Sequence, residues 1–293
     1  MSSTAIGRGA VYLYLQFLTS IISGYVFWIL LTRFTTTETI GNFALIISLA
    51  DIFAHIAILG IPDGIQRFLA KSFSEKKLAD ARVLVRISLT LLFGGIVVSS
   101  VILLFFNGWF LNVFGISFDL IVIINLMLAS NAIYLVLYSI IIASLKTQVL
   151  PIIIVVSSAS RIIIGMIAVL MDAGIWGLAL GYTLFSQNLS CLLLGIVITK
   201  ILKVAHEDQK PNISIGSASK NLMTASLVTW IPTLITIIGL ELGTLVVFGI
   251  QGPDQSGVYF IVITLVSGVN SILYSMYTIA LPVLSTMVDG RKR

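Results

Sequence analysis

Residues Leu30–Leu49 read LLTRFTTTETIGNFALIISL, and a weakly related segment, VVFGIQGPDQSGVYFIVITL, forms Val246–Leu265. The two segments align without a gap at an offset of 216 positions, which pairs Gly41 with Gly257. Both have the same plan: an apolar helix ends, a short polar turn with one acidic residue follows, and a glycine lies at the start of the next apolar helix. Because an internal repeat determines how the whole chain is organised, this pair predicts two related lobes.

The composition is that of a membrane protein. Hydrophobic residues make up 58% of the 293 residues, charged residues make up 10%, and the mean hydropathy is +1.10. A soluble chain carries about 25% charged residues, and one of this length could not bury so much apolar surface in its own core. The single cysteine, Cys191, lies in an apolar segment, so neither an intrachain disulfide nor a cysteine metal cluster is expected.

The distribution of apolar residues predicts an all-α polytopic membrane protein with about eight transmembrane helices. A spanning helix needs about 20 mostly apolar residues, and runs of this length favour helices over strands. The eight predicted spans are residues 10–32, 40–61, 83–106, 119–144, 149–171, 174–199, 222–249 and 257–285. Turns are expected between them, including one at the sequence FNGWFLN (residues 106–112).

Lys and Arg in the loops predict the orientation. With the N-terminus in the cytoplasm, fifteen of the seventeen basic residues face the cytoplasm, and only Arg33 and Arg161 do not. The net charge of +5 therefore reflects membrane topology, and no nucleic-acid partner is expected. The basic loop of residues 67–86 is predicted to be solvated, with a short surface helix around residues 72–83. Binding of anionic lipid by this loop is the alternative.

Six spans separate the two copies of the opening motif. An even number leaves both copies facing the same way, which predicts a parallel repeat whose axis runs along the membrane normal. Residues 1–204 are then a six-helix first lobe, residues 205–220 a cytoplasmic linker, and residues 221–293 the first two helices of a second lobe. Both termini are predicted to be cytoplasmic, in a multi-pass protein of the plasma membrane.

Polar residues at helical spacing inside the spans predict a shared, water-filled cavity. Such a stripe in one helix is usually explained by hydrogen bonding between helices, but six stripes in eight spans favour a cavity. The candidate substrate-binding residues of this cavity are Arg161, Asp51, His55, Glu241, Gln16, Asn131, Tyr134 and Gln187.

The charged members of this set leave three interpretations open, because a charge within a span needs a partner or a cavity. Asp51 and Arg161 could form an ion pair that fixes helix packing. Arg161 could hold an anionic headgroup, since guanidinium matches phosphate oxygens. Asp51 and His55 could form a proton-coupling pair, because histidine titrates near neutral pH.

The motifs resemble those of the multidrug/oligosaccharidyl-lipid/polysaccharide exporter superfamily, and most closely its polysaccharide transporter (Wzx-like) branch of flippases. The resemblance is carried by LTRFTTTETIGNFAL, by LGIPDGIQRFLAKSFSEKK, and by Phe248-Gly249, Gly252-Pro253-Asp254 and Gly257-Val258-Tyr259. It implies a V-shaped pair of six-helix bundles that moves lipid-linked oligosaccharide by alternating access. The hallmark contains no catalytic or binding residue, so the role of Arg161 depends on the physical argument alone.

Members of this superfamily usually have twelve to fourteen helices, so a chain of eight is expected to be truncated or to need a partner. The partners implied are membrane lipids, a lipid-linked glycan, and a chain that completes the second lobe or enzymes of polysaccharide assembly. A cation-coupled multidrug exporter and a non-transporting scaffold for polysaccharide assembly are the alternatives. No enzyme activity, cofactor or metal is predicted, because no motif for them is found.

Overall fold

The computed structural model describes residues 3–203, 211 and 213–268, apart from the side chains of residues 3–8 and 10. Throughout this part of the chain the regular secondary structure is helical, as the sequence predicts. A 3₁₀ turn (Thr147–Val149) precedes α7, and a π-helical segment (Leu180–Phe185) joins α8 to α9. The helices are α1 (Ser3–Phe34), α2 (Thr37–Ala57), α3 (Ile61–Ser74), α4 (Leu78–Phe105), α5 (Asn107–Phe114), α6 (Phe118–Ala143), α7 (Leu150–Leu170), α8 (Gly174–Ala179), α9 (Ser186–Lys203), α10 (Ile215–Gln251) and α11 (residues 253–268).

Among the described residues, seven helical stretches are long and apolar enough to cross a membrane. They are Val11–Phe34, Thr37–Ala57, Leu78–Phe105, Phe118–Ala143, Thr147–Leu170, Gly174–Lys203 and Ile215–Gln251. These stretches correspond to the first seven predicted spans, and they confirm the all-α multi-pass fold. The eighth predicted span begins within α11, and its residues from 269 onward lie outside the described part, as do residues 205–210 and 212 of the predicted linker.

The buried core surrounds α6, which packs against α2, α3, α4 and α9. Ile121, Ile124, Leu128 and Val136 of α6 have no exposed surface. Large apolar side chains also cover the outside of the bundle, where Phe93 of α4 is 69% exposed. Exposing apolar side chains to lipid has no free-energy cost, so a buried residue here is one that contacts another helix, whether or not it is more hydrophobic than an exposed one.

Two local expectations were wrong. The surface helix of the basic loop is α3, which begins eleven residues before the predicted residue 72, because its apolar face is formed by Ile61, Ile65 and Leu69. It ends before the exposed turn 75–77, where a hydrogen bond from Lys77 lowers the pKa of the Glu75 carboxyl. The expected turn at residues 106–112 instead contains most of the short helix α5, whose Phe110 is buried against its neighbours.

The two copies of the opening motif form equivalent corners, α1–α2 and α10–α11. At the first corner Thr36 caps α2 and its side chain accepts a hydrogen bond from the backbone of Thr39. The residue 216 positions later is Gly252, which directly precedes α11. Helices connected in series alternate in direction, so both corners lie at the same end of the bundle, the predicted outer end.

The corners also touch each other. A Cβ atom on Gly41 would collide with the backbone of Pro253, and one on Gly257 would collide with the carbonyl oxygen of Thr37. Since Thr37 and Pro253 are themselves repeat equivalents, the contact has an approximate two-fold symmetry. The hydroxyl group of Thr37 donates a hydrogen bond of 2.7 Å to Asp254. The glycines therefore permit α2 and α11 to cross at backbone contact.

Candidate functional site

The polar face of α6 is the centre of the candidate site. Asn131, Tyr134 and Tyr138 are spaced three and four residues apart, so they lie above one another on this helix. Each of them contacts another polar or aromatic side chain. Hydrogen bonds at this face join α6 to α1, α2 and α9.

A chain of three side chains joins α9, α6 and α2. The Gln187 amide donates a hydrogen bond of 3.2 Å to Asn131, whose amide nitrogen in turn donates to the Asp51 carboxylate. In an apolar environment a carboxylate needs such donors, because an unsatisfied charge is costly. Three of the predicted cavity residues are thus brought together as one network.

A second set lies further along α6, toward its C-terminal end. The Tyr138 hydroxyl donates a hydrogen bond of 2.7 Å to the side-chain oxygen of Gln16, which is 5% exposed. The Tyr134 and Tyr138 rings stack at a centroid distance of 5.8 Å. The amide and the two phenol rings thus form one polar and aromatic group between α1 and α6.

His55 does not pair with the Asp51 carboxylate. Its ring Nδ1 lies 2.8 Å from the backbone carbonyl oxygen of Asp51, one turn earlier in α2. A carbonyl oxygen only accepts, so Nδ1 carries the hydrogen in this arrangement. The indole of Trp230 on α10 donates to the carbonyl oxygen of His55 at 2.9 Å, which ties the end of α2 to α10.

Arg161 lies near the middle of α7, and its guanidinium carbon is 5.1 Å from the centre of the Tyr182 ring. Its Nε atom is buried and has no hydrogen-bond partner. Among the described residues no ion pair joins Asp51 to Arg161, so the suggested pair is not formed. Arg161 therefore presents a cation without a neutralising carboxylate near the predicted centre of the membrane.

Two glycines bring Arg161 and Tyr182 together. A Cβ atom on Gly181 would collide with the backbone of Gly165, which lies one turn after Arg161 on α7. A side chain at position 181 would therefore keep the π-helical segment from approaching α7 so closely. The ring of Tyr182 also contacts those of Phe27, Trp28 and Phe43, with centroids 5.2 to 5.6 Å away.

Glu241 lies within electrostatic range of Asp51 and Tyr182. It lies on α10 and faces the fully buried hydroxyl group of Ser48 on α2. Its repeat equivalent is Tyr25, whose hydroxyl donates a hydrogen bond of 2.6 Å to the carbonyl oxygen of Leu265 on α11. Both residues thus face the other corner, at equivalent positions of the repeat.

The sequence analysis missed Tyr182, which the structure places directly beneath Arg161. A π-helical turn changes which side chains face inward, so regular helical spacing could not identify it. It also missed the hydrogen bond of 3.1 Å from Ser130 to Asn188. No group of three or more His, Cys, Asp or Glu residues suitable for a metal ion occurs in the described part of the chain.

The fold is that of a multidrug and toxic compound extrusion (MATE) transporter. A structure of a mutant of the Vibrio cholerae MATE transporter VcmN has a TM-score of 0.59 at 14% identity, covering 93% of this chain and 69% of that one. The same transporter in the bent form has a TM-score of 0.56 at 14% identity, covering 94% and 71%. At this identity the likeness establishes the fold alone.

The sequence defines the family. A family model described as "Polysaccharide biosynthesis protein" matches residues 6–288, and the chain belongs to that family. No curated protein matches the chain. The resemblance drawn from the corner motifs is thereby confirmed, and the family and the fold are those of membrane transporters rather than enzymes.

Proposed function

We propose that this membrane exporter moves lipid-linked oligosaccharide, a precursor of polysaccharide, across the membrane by alternating access. The observation that carries the proposal is the half-buried guanidinium group of Arg161, which has no carboxylate partner and an unsatisfied Nε. A cation at this depth is costly unless it serves a ligand. A lipid-linked sugar supplies a phosphate or pyrophosphate group, whose oxygens match the guanidinium in charge and geometry.

The neighbouring groups support the same ligand. The Tyr182 ring lies against the guanidinium group, whose carbon is 5.1 Å from the ring centre, and so stabilises the cation at this position. The amides of Gln187, Asn131 and Gln16 and the phenol of Tyr134 suit the hydroxyl groups and the faces of sugar rings. Asp51 and Glu241 would accept hydrogen bonds from sugar hydroxyls, with His55 at the end of α2 near the predicted cytoplasmic surface.

The proposed setting is the plasma membrane, with both termini in the cytoplasm. Lipid-linked glycan would enter from the cytoplasmic side and leave from the outer side, where the two corners meet. Enzymes of polysaccharide assembly, or a chain that completes the second lobe, are the proposed protein partners. The excess of Lys and Arg on one side supports this orientation.

A flipping assay tests the proposal. The chain is reconstituted in liposomes with a fluorescent lipid-pyrophosphate oligosaccharide, and translocation is followed by access of a quencher. Arg161→Ala should reduce the initial rate by about 10- to 100-fold, because hydrogen bonds to a charged group are worth about 1.5–3 kcal/mol. Arg33→Ala, which removes an exposed arginine at the end of α1, is the matched control and should leave the rate unchanged.

Arg161→Lys separates charge from geometry, because lysine keeps the charge and loses the planar fork. An intermediate rate is expected. Flipping by Arg161→Ala at the wild-type rate would contradict the role of Arg161. Proton-dependent drug efflux from the same liposomes, without lipid movement, would favour the cation-coupled exporter, for which the half-buried carboxylate of Asp51 is the supporting observation.

A further inference from the structure

A groove of about 740 Å³ lies between α4 and α9, away from the candidate cavity. It is at the end of the bundle where α4 begins and α9 ends, which is the predicted cytoplasmic end. None of the eight candidate cavity residues belongs to α4. The lining residues are Arg82, Val85, Arg86, Leu89, Thr90, Phe93, Thr199, Leu202 and Lys203.

Arg82 holds the two walls of the groove together. Its Nε and Nη2 atoms donate hydrogen bonds of 3.1 and 2.8 Å to the carbonyl oxygen of Leu202. The last carbonyl groups of a helix have no partners within that helix, and a cation there also compensates the helix dipole. The arginine thus fixes the distance between α4 and α9 and brings positive charge to the floor of the groove.

The side chains of α4 change from basic to apolar along the groove. Arg82 and Arg86 lie near the start of the helix, and Leu89 and Phe93 follow on the same face, 38% and 69% exposed. Seven residues separate Arg86 from Phe93, a distance of about 10 Å along the helix axis. This spacing matches the distance from a lipid phosphate to the upper part of its acyl chains.

The charges of the lining are all of one sign. Arg82, Arg86 and Lys203 carry three positive charges, and no acidic side chain is among the described residues that line the groove. The hydroxyl groups of Thr90 and Thr199 lie among them as further polar groups. We propose that the groove binds one anionic phospholipid, whose phosphate contacts Arg86 and Lys203 and whose acyl chains lie along Leu89 and Phe93.

Native mass spectrometry tests the site. The full chain is reconstituted in nanodiscs containing equal parts of phosphatidylcholine and phosphatidylglycerol, and the lipids retained after mild detergent extraction are counted. The wild type should retain one phosphatidylglycerol. In the double variant Arg86→Gln/Lys203→Gln the apparent affinity for phosphatidylglycerol should fall about 25-fold, because each cation near a membrane surface contributes about a factor of five.

The double variant Arg67→Gln/Lys71→Gln is the matched control, because it removes two exposed charges at the same end of the bundle but outside the groove. It should retain the lipid. Arg86→Glu provides a second variant, in which the reversed charge should abolish retention. Equal loss in the control, or equal retention of phosphatidylcholine by the wild type, would overturn the proposal. Preferential binding of polyprenyl pyrophosphate in the groove would do so too, since the groove would then belong to the substrate path.

Discussion

At the scale of single residues, the contact between the two corners depends on a pair of glycines. Gly41 and Gly257 approach the backbones of Pro253 and Thr37, and neither position has room for a methyl group. Backbone atoms cannot move aside as a side chain can, so an added Cβ would force the two helices apart. The same argument applies at Gly181, which approaches the backbone of Gly165 and brings Tyr182 to Arg161.

Gly41→Ala is therefore expected to destabilise the protein by about 1–3 kcal/mol, the usual cost of overpacking. The thermal unfolding midpoint in detergent, followed by tryptophan fluorescence, measures this effect. Gly239→Ala is the matched control, because Gly239 is within α10 and a Cβ there meets nothing within 4 Å. Its midpoint should be unchanged or slightly higher, since alanine favours helix. Equal midpoints for the two variants would contradict close backbone contact at Gly41.

At the scale of elements, α3 contacts helices on both sides of the predicted linker. It follows α2 directly, packs against α4 and α6, and also contacts α10. Ile61, Ile65 and Leu69 repeat every four residues and have no exposed surface, while Arg67 and Lys71 on the same helix are exposed. The helix is amphipathic because one face is buried against the bundle and the other faces water.

Ile65→Ala should cost about 2–5 kcal/mol, because it removes a fully buried side chain and leaves a cavity. Ile163→Ala on α7 is the matched control, since Ile163 is 58% exposed on the outside of the bundle. The unfolding midpoint of Ile65→Ala should fall well below that of the wild type, and that of Ile163→Ala should stay near it. A comparable loss in both variants would show that α3 is not anchored by this face.

At the scale of the whole molecule, the two repeat corners meet at the predicted outer end. Thr37 donates to Asp254, Tyr25 donates to the backbone of Leu265, and the rings of Trp28 and Phe260 lie 5.0 Å apart. Alternating access would require these contacts to separate during part of each cycle. Water can replace the two hydrogen bonds and lipid can replace the ring contact, which is compatible with an interface that opens.

Cross-linking of the two cysteines in the double variant Thr37→Cys/Asp254→Cys should therefore stop transport. The native side-chain oxygens are 2.7 Å apart, so a short, reducible thiol cross-linker can bridge the two cysteines in a Cys191→Ala background. Flipping should fall to the background rate after cross-linking and return after reduction. Each single-cysteine variant, treated in the same way, should keep its activity. Undiminished flipping by the fully cross-linked protein would contradict separation of the corners.

The sequence by itself determined the membrane class, the positions of seven spans and the family, because long apolar runs and the corner turns are local features. It also identified polar residues that the structure brings together, such as Asp51 with Asn131 and Gln187. Helical spacing was sufficient for these residues, since a regular helix places residues three or four apart on one face.

Only the tertiary structure decided how the side chains pair. In lipid the outside of a helix is as apolar as its interfaces, so hydropathy does not specify how each helix is rotated about its axis. That rotation depends on contacts between distant segments, such as the crossing of α2 and α11 at Gly41 and Gly257. The rotation of the helices places Arg161 against the ring of Tyr182 rather than in an ion pair with Asp51. It also places the two copies of the opening stretch in direct contact.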